Sequence, residues 1–156
     1  MGVAALLGLA LLLPQQRLEV YRCEPTARLL SLEAGPDTPF SLWFLHSYDR
    51  AFFQEHYRLE QGGRIVLTHM SFKSSLNGQG FEMGTYRPRP DGSAELADIN
   101  KEVLEITFRL GSPDLANHTL IVGGRRLRLL DYASAGDLLS IRSVFKPRWR
   151  VLWGTG

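Results

Sequence analysis

The chain has one cysteine in 156 residues, Cys23, so no intrachain disulfide can form and a hydrophobic core must hold the fold. It also has little net charge. A formal +2 is too small to support nucleic-acid binding. The apolar run at 3–13, VAALLGLALLL, would make only about 16 Å of helix against a hydrocarbon core of ~30 Å, so it does not span a bilayer. No stretch keeps helical periodicity long enough to form a crossover helix, which argues against a parallel sheet. There is no Gly-x-Ser-x-Gly elbow. The loop Asn77, Gly78, Gln79, Gly80 has the wrong spacing for a phosphate cradle, and Pro88 and Pro90 block a helix soon after it.

What is present points to β-structure. Short runs rich in Leu, Ile, Val and aromatics occupy 17–22, 27–32, 39–46, 53–60, 63–72, 103–110, 117–122, 125–130 and 138–145, with a further short one at 149–153. Prolines and glycines separate them. The pattern predicts an all-β fold, a small antiparallel barrel or a two-sheet sandwich built of hairpins. A helical turn is expected around 95–101, and the RPRPDGS run at 87–93 reads as a long exposed loop. The expected organisation is a signal-peptide-like or anchor segment at 1–16, one β domain at 17–146, and a basic tail at 147–156. The chain's positive charge is concentrated late. After residue 119 seven Lys/Arg stand against Asp131 and Asp137, whereas fourteen acids meet eleven bases before it. Such a region can face phosphate, anionic lipid or an acidic partner, or simply be a solvated strand face.

Gly62-Gly63 and Gly123-Gly124 each fit a two-residue type I′ turn, where both central residues need positive φ. The first turn pairs Leu59 with Val66, Tyr57 with Thr68, Glu55 with Met70 and Phe53 with Phe72. The second pairs Leu120 with Leu127 and His118 with Leu129. Matching hydrophobicity between 39–46 and 53–60 sets Phe40 against Leu59, Leu42 against Tyr57, Phe44 against Glu55 and His46 against Phe53. In that register His46 and Glu55 are diagonal neighbours on a face that otherwise reads as core. Ionisable groups there are costly unless partnered, which makes them site candidates. The pair has three readings: a structural staple, the polar end of a ligand pocket, or a base and its orienter in a hydrolase-like enzyme. Ser47 and the Tyr57 hydroxyl can complete it, and His118 also falls among apolar neighbours. On the opposite face His56 opposes His69, with Trp43 beside His56. Two imidazoles lack the third ligand a metal site needs, so no metal or other cofactor is expected and His56 and His69 are weak candidates only. Asn117-His118-Thr119 matches a glycosylation sequon and carries no weight.

The stretch FSLWFLHSYDRAFFQEHYRLEQGGRIVLTHMSFKSS resembles the signature of a family of small exported bacterial proteins of unknown function, domain-of-unknown-function family 1850. In that family an apolar strand ends in His-Ser, a Glu follows on the next strand, and a third strand enters a Gly-rich loop. The matching positions are His46, Ser47, Glu55 and 71–80. NHTLIVGGRRLRLL and SAGDLLSIRSVF are similar to the family's closing hairpin and last strand, so the resemblance covers about residues 17–145. Phe52 stands where the family usually has Pro, and SSLNGQGFE replaces a more compact loop. The resemblance implies an exported, periplasmic protein encoded beside TAXI-type TRAP transporters, which import small organic acids. It implies an accessory role; taken with the residues, the leading expectation is a non-enzymatic accessory or ligand-binding module for small carboxylates whose polar site is His46, Ser47 and Glu55, with His118 a weaker addition. No nucleic-acid partner is expected, and membrane contact is expected only through the N-terminal segment. A protein-interaction module using the basic C-terminal strands and Arg148, Trp149 and Arg150 is the further alternative.

Overall fold

Alternation of apolar and polar residues makes strands with one buried face, and two such faces stack here. The computed structural model describes residues 13–47, 50–73 and 81–147. The leader-like run, the loop at 77–80 and residues 148–156 lie outside them, apart from Leu13. The strands are β1 (Pro14–Arg22), β2 (Ala27–Glu33), β3 (Pro39–Leu45), β4 (Phe52–Leu59), β5 (Ile65–Phe72), β6 (Thr85–Pro88), β7 (Ala94–Ala97), β8 (Lys101–Val103), β9 (Ile106–Arg109), β10 (Thr119–Val122), β11 (Arg125–Arg128) and β12 (Leu138–Pro147). All pairings are antiparallel.

The smaller sheet runs β2-β1-β12-β9. The larger runs β11-β10-β3-β4-β5-β7-β6, with β8 also on β5. The arrangement is a two-sheet sandwich, not a closed barrel. Leu18, Val20, Leu139 and Ile141 of the small sheet share one core with Phe40, Leu42, Leu59, Ile65 and Leu120 of the large one. Each fully buried aliphatic side chain stabilises the fold by roughly 1.5–3 kcal/mol. Strand structure reaches back to Pro14 and on to Pro147, which pair with each other.

The β10–β11 turn is the two-residue turn expected of Gly123-Gly124, with φ of 55° and 78° and Leu120 facing Leu127. The first Gly-Gly turn differs. Gln61–Gly63 form a single 3-10 turn, closed by the Glu60 N–H donating to the Arg64 carbonyl at 2.9 Å, and Leu59 pairs with Ile65. A β-bulge at Thr68 then absorbs one residue, so that His56–His69, Glu55–Met70 and Phe53–Phe72 pair as expected.

Three expectations need correction. The β3–β4 register is offset by two residues: Phe40 faces Tyr57, Leu42 faces Glu55 and Phe44 faces Phe53. The stacked pairs Phe40–Tyr57 (5.2 Å) and Phe44–Phe53 (5.1 Å) favour this register, as does a tight loop in which the His46 N–H donates to the Ala51 carbonyl at 2.8 Å. The run at 103–110 is not one strand. β8 lies in the large sheet and β9 in the small one, and Leu104, 93% exposed, sits at the crossing. Of the loop expected at 87–93, 89–93 is the turn of the β6–β7 hairpin while Arg87 and Pro88 belong to β6, and the helical turn expected around 95–101 is instead β7 and the start of β8. Pro88 is tolerated there because β6 is an edge strand.

Candidate functional site

β4 directs Phe53, Glu55, Tyr57 and Leu59 toward the core, as its alternation requires. The Tyr57 hydroxyl donates to Glu55 Oε2 at 2.8 Å. Burial pushes the Glu55 carboxyl above its ordinary range, and the Tyr57 hydrogen bond opposes this more weakly. Burial, then the neighbouring Glu55 charge, push the Tyr57 phenol far above its usual range, so it stays a donor at any physiological pH.

His118 enters the same space from the other side of β3. A compact loop carries it: the Ser112 carbonyl accepts the N–H groups of Leu115, Ala116 and Asn117, each at 3.1 Å. The imidazole lies between Phe44, 5.2 Å away, and Phe108, 4.7 Å away. Nδ1 accepts the Gly111 N–H at 3.3 Å. That bond assigns the proton of the neutral ring to Nε2. Desolvation lowers the His118 pKa to about 4, so the ring is neutral at neutral pH.

Glu55, Tyr57 and His118 line one cavity of about 310 Å³ between β3–β4 and the β8–β9 crossing. Leu42, Phe44, Ile106 and Phe108 supply apolar wall. This volume lies at the small end of ligand pockets, and its lining is divided about evenly between apolar and polar residues. Glu105 also borders the cavity, but its carboxylate accepts from Ser140 Oγ and Arg142 Nε, both at 2.6 Å. Those two hydrogen bonds lower its pKa and keep it ionised at the cavity's edge.

Of the site residues expected from sequence, the fold brings together Glu55 and His118 but not His46 and Ser47. His46 follows β3 four residues beyond Leu42, the partner of Glu55, which is about 13 Å along a strand. The Phe44–Phe53 pair lies between, and the His46 ring tilts on Phe53 at 6.4 Å. Ser47 is exposed in the following loop. The two-residue offset therefore dissolves the His46–Glu55 pair, and with it the base-and-orienter arrangement of a hydrolase. The aromatic clamp on His118 was missed. Its one sequence signal was the alternation of Ile106 and Phe108, hidden by reading 103–110 as a single strand.

On the opposite face of the large sheet His56 and His69 stack at 4.0 Å with 7° between their planes. Ser41, not Trp43, is opposite His56, because Trp43 pairs with Gln54. Lone pairs lie in the ring plane, so parallel stacked imidazoles aim them side by side and not at a common point. His56 Nε2 also lies 3.0 Å from Ser71 Oγ, and His69 Nδ1 lies 2.9 Å from Thr68 Oγ1. Burial, followed by the nearby His69, lowers His56 to about 4. Among the described residues no group of three His, Cys, Asp or Glu is arranged to hold a metal ion.

The model of the family described as Domain of unknown function (DUF1850) matches residues 40–129, and the chain belongs to that family. The match takes in both halves of the cavity's polar set, Glu55 with Tyr57 and His118. No curated protein and no solved structure matches the chain.

Proposed function

We propose that this member of the DUF1850 family is an exported, non-enzymatic binding module for a small organic acid, and that the inter-sheet cavity is its site. The observation that carries the reading is the pairing, in one inter-sheet cavity, of a carboxyl pushed up by burial with a neutral imidazole whose Nε2–H is its remaining donor. No Lys or Arg is among the cavity-lining residues. A bound carboxylate and an ionised Glu55 would repel each other at low dielectric, so the two share one proton. The ligand's carboxylate then accepts from His118 Nε2–H and from protonated Glu55, while its short carbon chain packs on Phe44 and Phe108.

An accessory role beside a TAXI-type TRAP transporter, at the outer face of the cytoplasmic membrane, is supported by the family resemblance and by that transporter class importing small organic acids. The leader-like run at 3–13 supports export. Among the described residues no helix is long and apolar enough to cross a membrane.

Calorimetry with acetate, butyrate and benzoate at about pH 5 and about pH 8 tests the binding reading. Binding is expected at the lower pH and weakens as the pH rises, with proton uptake growing as Glu55 ionises in the free protein. Absence of heat with every acid at both pH values would sink it.

A further inference from the structure

One wall of the cavity is an edge strand. β9 ends the small sheet, and its residues Ile106–Arg109 pair with β12 without a bulge. One step beyond that register the Leu110 N–H donates to the Asp137 carbonyl at 2.8 Å. Antiparallel pairs alternate between hydrogen-bonded and non-hydrogen-bonded. Ile106 and Phe108 therefore turn their main-chain groups to β12, while Thr107 and Arg109 turn theirs away from it. No strand takes up those outward groups among the described residues. Thr107 pairs with Ser140, which lies between the core residues Leu139 and Ile141, so its side chain is on the outer face. It is the Thr107 main chain that borders the cavity.

The other edges carry devices that discourage a further strand. β2 has a bulge at Leu29, and the Arg17 guanidinium donates to its Ser31 carbonyl at 2.9 Å. β6 ends in Pro88, β8 is three residues long and begins with Lys101, and β11 carries Arg125, Arg126 and Arg128. β9 has one charge, Arg109, whose Nη1 donates to the Gly136 carbonyl at 2.6 Å, in the loop before β12. That contact draws the charge to the β12 side and off the free edge.

We propose that the acid held in the cavity is the side chain of an acidic residue in an extended peptide segment, added to β9 as an antiparallel strand. The proposal rests on the acid-binding reading of the cavity and names its occupant. Thr107 and Arg109 make the hydrogen-bonded pairs of the new ladder. The residue facing Phe108 then falls in a non-hydrogen-bonded pair, where Cα atoms are about 4.5 Å apart and side chains are closest. It shares the face of Phe108, whose ring lies 4.7 Å from that of His118. A carboxylate there is set at the His118 ring, and the segment's main chain supplies affinity that a free acid lacks.

Calorimetry at about pH 5 tests it with a blocked pentapeptide, Val-Thr-Glu-Thr-Val, the same peptide with Gln at its centre, and butyrate. The Glu peptide is expected to bind at least about tenfold tighter than butyrate or the Gln peptide. In hydrogen exchange it should protect the Thr107 and Arg109 amides, which butyrate leaves exchanging freely. Thr107→Pro removes one outward N–H and no β12 hydrogen bond, and should weaken the Glu peptide about fivefold. Butyrate binding with no gain from the Glu peptide would overturn the proposal and leave the acid-binding reading standing. No binding by either would overturn both. Equal affinity for the Glu and Gln peptides, or tight binding without protection of those amides, would overturn the proposal alone. The peptide comparisons need no variant, so a Thr107→Pro chain that fails to fold leaves them intact.

Discussion

Glu55 and His118 face the same cavity, and burial moves their protonation in opposite directions. His118 titrates at about 4 in the fold against 6.5 when solvated, so the unfolded chain binds the extra proton first as pH falls. Its contribution is therefore complete above about pH 6.5 and is lost toward pH 4, an effect of about 3 kcal/mol. His118→Phe should flatten that acid limb in denaturant titrations. At neutral pH it should cost about 1–3 kcal/mol, because the Gly111 N–H loses its acceptor. Glu55 has the opposite sign. Its folded pKa is raised, so stability is full below the ordinary carboxylate range and declines as pH rises through the folded value. Glu55→Gln keeps an acceptor for the Tyr57 hydroxyl and carries no charge. Its melting temperature should therefore exceed the wild type's at pH 8 by more than it does at pH 4. Equal differences at both values would mean that Glu55 is solvated.

Between residues and fold, the element that sets the cavity's geometry is the loop from Gly111 to His118. A Cβ on Gly111 would lie 2.4 Å from the Ala116 Cβ, so Gly111→Ala must push the loop outward. The expected cost is about 1–3 kcal/mol, together with weakened acid binding, measured by denaturation and calorimetry on the same sample. How legible such elements were depended on what alternation can encode. It identified the inward face of β4, and therefore Glu55 and Tyr57 as core-facing, and the two-residue turn at Gly123-Gly124. It could not distinguish two β3–β4 registers offset by two residues, since both put the same side chains on the same face. Aromatic stacking and loop closure decide between them, and that choice separates His46 from Glu55. Nor does periodicity report which sheet a strand joins. Ile106 and Phe108 reach the cavity only because the chain changes sheets at Leu104 and Glu105, a tertiary event with no local signal. The bulge at Thr68 escaped notice for a related reason: IVLTHMSF looks like one regular strand, but its inward phase changes midway.

Across the whole molecule, the small sheet's outer face is held by a charge network centred on Glu19. Glu19, with no exposed surface, accepts from Ser31 Oγ at 2.8 Å, Lys146 Nζ at 2.6 Å and the Tyr21 hydroxyl, and Arg28 lies 3.5 Å away. Desolvation raises its pKa, but the hydrogen bonds from Lys146, Tyr21 and Ser31 together outweigh it and leave the pKa lowered. Its stabilisation is thus present above the ordinary carboxylate range and lost as pH falls through the lowered value. Glu19 ties β1 to both β2 and β12. Glu19→Gln should therefore cost about 2 kcal/mol in chemical denaturation at neutral pH, discounted for the partial exposure of its cations. The central claim is that the Glu55–Tyr57–His118 cavity between the two sheets is the ligand site. The most direct test is to follow the four histidine rings by NMR while titrating butyrate at pH 5. The account predicts that the His118 Nε2–H resonance moves with saturable dependence on butyrate while those of His46, His56 and His69 stay in place. A response at His46 with none at His118 would contradict it.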